Sequence, residues 1–364
     1  MRDVLAAVLE NRVNLLLVAA PATWILAGVM PGSPWIFAAA AMSLIPLAAI
    51  IGLATDQLAL RSGPAFGGFL NATFGNAAEL IIAIVALRKG HIDLVKASIT
   101  GSIVGILLLV LGLAFVVGGL GRRSQKFNRT AATNAAALLF LAVVALVAPA
   151  VFDLTLYGTL SARPPAIDRL SICSAVILIA AYIGNLVYAF TAQHDLLRYG
   201  DRGDQRPTLT SAAAVVLLAG ATILTTIQAE LLVGTLQPTL TALGLTELFV
   251  GVIVIAIVGN AAEHYSALVA ARRDHMTLAV EIAVGSSAQI ALLVAPVIVI
   301  YSFLIGRPMT LLFHPFEIAA ISLSVLATAI VVVDGESNWV EGLQLLSVYA
   351  ILALAFYFIP AHAG

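Results

Sequence analysis

Charge is what this sequence has least of. Only 10% of its 364 residues are Asp, Glu, Lys or Arg, against 61% hydrophobic. A soluble globular chain carries about a quarter charged residues, so the polar surface needed to face water is missing and the chain reads as an integral membrane protein. A formal net charge of -1 gives no attraction for polyanions, which excludes a nucleic-acid partner. The single cysteine, Cys173, excludes an internal disulfide; in its apolar run it reads as a small core residue. Six scattered His offer no HExxH or other close ligand spacing, and no nucleophile–base spacing appears. The chain therefore reads as a non-enzyme with no cofactor. No cleavable leader is expected: "MRDVLAAVLENR" carries both charge signs and runs straight into an apolar stretch.

What the chain has instead is long apolar runs. A hydrocarbon core takes about 20 apolar residues per helix. Eleven such runs are predicted at 13–30, 34–54, 65–87, 97–119, 131–151, 169–192, 209–232, 243–270, 280–304, 314–333 and 340–359. They are too long for barrel strands and lack strict alternation. The fold class expected is an all-α polytopic membrane protein, because a helix satisfies its own backbone in lipid. Twelve of the basic residues fall on the N-terminal side of these spans and six on the other. The positive-inside rule then puts the N-terminus in the cytoplasm, and an odd span count puts the C-terminus outside. Short loops and no targeting segment suit a prokaryotic inner membrane.

An internal repeat organises the runs. "FGNAAEL" at 74–80 and "VGNAAEH" at 258–264 are 184 residues apart, and the register continues without a gap: Gly67 meets Gly251, Arg88 meets Arg272, His91 meets His275, and Gly101–Ser102 meets Gly285–Ser286. The copies lie in the third and eighth runs, five helices apart, so they cross the membrane in opposite directions. The expected organisation is one N-terminal helix (1–30), a five-helix repeat (31–192), a polar linker (193–208) and an inverted five-helix repeat (209–364). Secondary transporters use this device, with the site at the midplane between halves.

The repeated residues point to a cation. Asn76 and Glu79, like Asn260 and Glu263, are three apart and share a helical face. Ala-Ala between them and Gly before them permit close helix approach. Two carboxylates and two amide oxygens suit a hard divalent cation such as calcium, whereas an anion would call for Arg, and no span carries a central Arg. One membrane carboxylate can be a structural hydrogen-bonder; a pair duplicated in register with an Asn each time is better read as functional. Ser102, Ser286 and, one turn on, Gln289 add oxygens at matched points. Asp56, Glu230 and His264 form a candidate outer tier; the bland alternative is helix-end solvation for the two acids and a hydrogen-bonded structural role for His264. Glu247, Glu281 and Glu317 sit near span starts, where acidic residues complement the helix dipole. The acidic "DGESNWVEG" at 334–342 has Trp339 where a calcium loop needs Gly; a capping turn explains it.

The motifs "GGFLNATFGNAAELI" with "GSIVGILLLVLGLAFVVGG", and "VGNAAEHYSALVAARRD" with "GSSAQIALLVAPV", resemble the two signature repeats of the calcium/proton exchangers, the CAX branch of the calcium/cation antiporter superfamily. The resemblance spans nearly the whole chain. It implies eleven helices, one plus two inverted sets of five. It also implies that Glu79 and Glu263 bind calcium and protons in alternation, with Asn76, Asn260, Ser102, Ser286 and Gln289 lining the site. Ile106 stands where many members have Asn, Asp56 where Glu is usual, and Ala288 where Thr is common. Partners implied are calcium ion, protons and the lipid bilayer, and a homo-oligomer is compatible. The residues alone fit sodium as counter-ion equally well; only the family wording "GNAAE" favours protons. A cation channel is the rival from another class.

Overall fold

The computed structural model describes residues 12–62, 67, 70, 73–158, 165–191 and 207–360. The expected linker lies mostly outside the described residues. Thirteen helices are assigned among them: α1 (Val13–Val29), α2 (Pro34–Ser62), α3 (Ala77–Lys89), α4 (Ile92–Gly119), α5 (Arg129–Tyr157), α6 (Pro165–Thr191), α7 (Ser211–Gly234), α8 (Leu236–Leu243), α9 (Glu247–Gly259), α10 (Ala261–Arg272), α11 (Met276–Leu304), α12 (Pro315–Val332) and α13 (Trp339–Phe358). Eight of these are each long and apolar enough to cross a membrane. The protein is an α-helical polytopic membrane protein.

Local chemistry sets the helix ends. Asn128, Thr210 and Thr246 each accept a backbone N–H of the first turn through their side chains, which satisfies donors a helix start otherwise leaves open. His314 with Glu317, and Asn338 with Glu341, form reciprocal capping boxes. The second of these is the capping turn expected for "DGESNWVEG", with Trp339 half exposed beside it. Gly158 and Gly244 close α5 and α8 in the left-handed conformation.

The helices fall into two compact units, each drawing on both halves of the chain. The first comprises Met1–Lys89, Asp201–Leu245 and Val254–Ala262. There α2 and α7 pack along one another, α3 lies on α7, and α1 and α8 lie on α2. Ile50 and Ile51 of α2 meet Ala77 of α3 and Ala221 of α7 at its core. Polar ties hold the ends. Gln57 accepts the N–H groups of Thr208 and Leu209 at 2.8 and 3.1 Å. Arg61 donates to the Leu209 carbonyl at 2.9 Å.

The second unit comprises Gly90–Gly200, Thr246–Ile253 and Glu263–Gly364. Its most enclosed helices are α4 and α11, with 83% and 72% of the residues in their apolar stretches buried, and α5, α6, α12 and α13 pack around them. A two-residue antiparallel ladder pairs β1 (Gln125–Lys126) with β2 (Glu336–Ser337), a small departure from an all-helical chain. It ties the loop after α4 to the loop before α13. Gly112 of α4 and Gly342 of α13 let two backbones touch: a Cβ on Gly342 would lie 2.6 Å from the Gly112 carbonyl oxygen.

Three expectations need correction. The runs at 65–87 and 243–270 are not single helices: α3 begins only after a turn at Gly75 and Asn76, and α9 ends at Gly259 before α10 starts at Ala261. Gly followed by Asn favours turn and capping geometry over helix interior. Cys173 is exposed on α6 rather than buried; in lipid an apolar outward face is ordinary, so an apolar run does not mark the core.

Gly342→Ala is expected to lower the thermal midpoint and folded yield in detergent, at a cost of about 1–3 kcal/mol for forced overpacking. Gly184→Ala, with open space around it, should leave both unchanged.

Candidate functional site

In the first unit, the backbone breaks where the signature motif sits. Asn76 is 2% exposed, and its carbonyl accepts the N–H of Leu80 at 3.1 Å, so it occupies the capping position of α3. Glu79 follows in the first turn, with both carboxylate oxygens shut off from solvent. The side chain lies against the end of α9: a Cβ built on Gly259 would come within 3.1 Å of Glu79 Cγ and 3.4 Å of its Oε1. The next residue, Asn260, is 0% exposed and donates its side-chain amide to the Ala256 carbonyl at 2.8 Å. The second motif copy thus presents its glycine to the carboxylate of the first. The small residues of the motif permit this close approach at Gly259.

Glu263 lies in the first turn of α10 and opens the second unit's part of that helix. Its Oε2 is buried and accepts no hydrogen bond among the described residues. An acceptor so placed calls for a proton or a cation, since an orphaned buried polar group costs about 1–3 kcal/mol and more when charged. His264 is half-buried beside it. Ser102 is 3% exposed on α4. Ser286 and Gln289, half-buried, begin and end one turn of α11 that packs against α4. The preceding stretch of α4 crosses the start of α9 at very short range. Gly101 presses against the Val252 carbonyl, with no room for a Cβ, and a Cβ on Gly251 would sit 3.0 Å from the Leu94 carbonyl oxygen.

The 184-residue register is written in the backbone as well. A π-helical stretch runs through α4 at Gly105–Val110, and another through α11 at Ile290–Val294, the same place in both copies. Such turns favour functional sites because they leave a backbone group free of the regular ladder. His91 and His275 both stand directly before the helices concerned.

Of the candidate outer tier, Asp56 and Glu230 lie toward opposite ends of the α2–α7 pair, since Arg61, one turn beyond Asp56, bonds Leu209 before α7 and Glu230 lies near the end of α7. Asp56 is half-buried on α2. Glu230 pairs with Lys89, Oε2 to Nζ 2.9 Å, while Lys89 also donates to the Glu230 carbonyl at 2.7 Å. This clasp joins the ends of α3 and α7, ten residues or about 15 Å along α3 from Glu79. Glu247 sits in the first turn of α9, as expected of a helix-start acid, and adds a contact to His91, 3.0 Å from Nδ1 to Oε1. Sequence reasoning missed two features. Ser287, beside Ser286, is fully buried, its hydroxyl without a partner among the described residues. Lys96, Thr100 and Glu317 form a buried polar cluster; only Glu317 carried a signal, that of a helix-start acid.

Broken apolar helices with buried carboxylates at the breaks define a polytopic membrane transporter. A model of the sodium/calcium exchanger protein family matches residues 32–191 and 213–358. The chain belongs to that family. It is 42% identical to the Ca(2+)/H(+) antiporter of Synechocystis sp. over 90% of this chain and 92% of that one. It is 41% identical to the Ca(2+)/H(+) antiporter ChaA of Bacillus subtilis, over 95% and 99%. Among solved structures, native YfkE superposes with a TM-score of 0.83 at 39% identity, over 95% of this chain and all of that one. An H+/Ca2+ exchanger CAX gives 0.69 at 15% identity, covering 94% and 91%, a likeness of fold.

Gly259→Ala should force Glu79 aside by a few tenths of an ångström. We expect weaker calcium binding by titration calorimetry, about tenfold for a change of about 1.4 kcal/mol, with the thermal midpoint little altered.

Proposed function

We propose that this protein is a secondary antiporter that exchanges calcium for protons across a membrane by alternating access. The observation that carries the reading is the buried carboxylate of Glu79 packed on Gly259, where two copies of one motif meet at broken helices. The names of relatives about 40% identical over nine-tenths of the chain support calcium and protons as the exchanged ions.

Glu79 and Glu263 are the groups that take calcium or protons, with Asn76, Asn260, Ser102, Ser286 and Gln289 supplying further oxygens. Hard cations take six to eight oxygens, and two carboxylates balance two positive charges. With calcium held, both glutamates are ionised. Once calcium leaves, an empty ionised pair in an apolar surround is costly, so the return step requires protons. That penalty couples the two fluxes. No cofactor takes part.

The architecture proposed is eleven spans: α1, then two inverted five-helix repeats (31–192 and 209–364) joined by a cytoplasmic linker (193–208). Polar ties within each unit support this. The ends of α3 and α7 meet through Lys89 and Glu230, and the end of α2 meets the chain entering α7 through Arg61 and Leu209. The starts of α4 and α9 meet through His91 and Glu247. The loops after α4, α10 and α12 meet through Gln125 with Asp274 and through the β1–β2 ladder. An alternating path with the N-terminus in the cytoplasm and the C-terminus outside accommodates all of them. Bacterial relatives support the plasma membrane.

Calcium uptake into inverted vesicles tests the reading. We expect uptake driven by an imposed pH gradient and none driven by a sodium gradient alone; sodium-driven uptake would replace proton coupling with sodium/calcium exchange. Downhill flux that continues without a counter-gradient would indicate a channel. Glu79→Gln and Glu263→Gln are each expected to abolish exchange while the protein still inserts, and unchanged exchange in either variant refutes the site.

A further inference from the structure

Thr100 stands two residues before Ser102 on α4 and is fully enclosed. Its hydroxyl donates to Glu317 Oε1 at 2.8 Å. Glu317 is itself 3% exposed, and its Oε2 accepts the His314 backbone N–H at 3.0 Å. One turn earlier on the same face of α4, Lys96 donates to the Leu312 carbonyl at 2.6 Å, and its ammonium lies 5.6 Å from the centre of the Phe313 ring. The segment 312–317 therefore grips α4 at two points one turn apart, and is held rigid by its own capping box.

This grip exceeds what a helix cap needs. A capping glutamate works at an exposed helix start, whereas this one is buried and spends its second oxygen on a neighbouring helix. Buried Lys and Glu in a membrane-spanning region are expensive and are retained where they have a task. The task is visible in α4. Its π-helical stretch begins at Gly105, three residues beyond Ser102, and a π turn breaks the register between the segments on either side. The packing of α13 on the far end of α4 thus acts on Ser102 only across the π turn. The anchors before the π turn act on it directly. They are Gly101 against the Val252 backbone, and Lys96 and Thr100 from roughly the opposite side to Ser102, two residues being about 200° of helix.

We propose that Thr100, held by Glu317, is a positioning residue for exchange, fixing the turn of α4 that carries Ser102. The proposal rests on Ser102 lining the cation site. It is tested by calcium uptake in vesicles, with KM and maximal rate read separately, on Thr100→Val, Thr100→Ser, Ser102→Ala and the double variant Thr100→Val/Ser102→Ala; thermal midpoints are measured alongside. Thr100→Val keeps the shape and loses the donor. It should raise KM for calcium about tenfold, the scale of one hydrogen bond to a charged group, with the maximal rate within about twofold. Thr100→Ser should restore KM. In the Ser102→Ala background the further effect of Thr100→Val should largely vanish, as for two residues acting as one unit. Equal effects in both backgrounds, or a lower midpoint with KM unmoved, overturn the proposal and leave a packing role. A wild-type KM in Ser102→Ala refutes Ser102 as a ligand and the proposal with it, while a raised KM there with additive Thr100→Val refutes the proposal alone. Should Thr100→Val not fold, Glu317→Gln, which keeps an oxygen acceptor but drops its charge, must give a smaller KM shift in the same direction that likewise depends on Ser102.

Discussion

The approach of α3 to α9 is the constraint from which the rest of the first unit follows. Glu79 needs a neighbour thin enough to lie under its side chain, and Gly259 is that neighbour. A glycine at the end of a helix in an apolar run does not prolong the helix well, so the chain turns there. Asn at the turn is then an asset: the Asn260 side chain adds a bond to the Ala256 carbonyl, and the Asn76 backbone carbonyl receives the Leu80 N–H. The motif's four residue types thus answer one geometric demand. Gly gives proximity, Asn repairs the break, Ala-Ala keeps the following turn slender, and Glu enters at the first turn, where the free N–H groups of a helix start favour negative charge.

The second unit solves a complementary problem, which is to hold polar groups at fixed directions on helices that carry π turns. Enclosure does part of this, since α4 and α11 are the helices most surrounded by protein. Backbone contact does another part: Gly101 against Val252, Gly251 against Leu94, and Gly112 against Gly342 leave no freedom to rotate. Close packing of this kind is how helices associate where lipid removes the hydrophobic drive between them. The buried Lys96–Thr100–Glu317 cluster adds hydrogen bonds from α4 to the chain entering α12 and to its first turn.

The repeat, the two Asn–Glu pairs and the matched serines were legible in the sequence because each is a local departure from apolar composition, repeated at a fixed offset. Helix existence was legible for the same reason that topology is in membranes, since a long apolar run has few alternatives. The break at Asn260 was less legible, because a Gly-Asn pair inside a continuous apolar run is also compatible with an unbroken helix. Thr100 with Glu317 could not be read at all: the partners are 217 residues apart, and Glu317 already had a sufficient explanation as a helix-start acid. Cys173 was misread for a physical reason. When solvent is lipid, the outward and inward faces of a helix are both apolar, and periodicity no longer says which side is the core.

The same chemistry explains why one set of residues can serve two ions of different size. Calcium asks for many oxygens with loose geometry, and a proton asks for one carboxylate oxygen. Glutamate meets both demands, and an amide or hydroxyl meets only the first. If protons and calcium compete for Glu79 and Glu263, the asparagines and serines help hold calcium without adding protonatable groups. Their number tunes how strongly calcium competes, and the count of glutamates sets how much charge must be replaced. On that reading the carboxylates and the neutral oxygens are separable in effect.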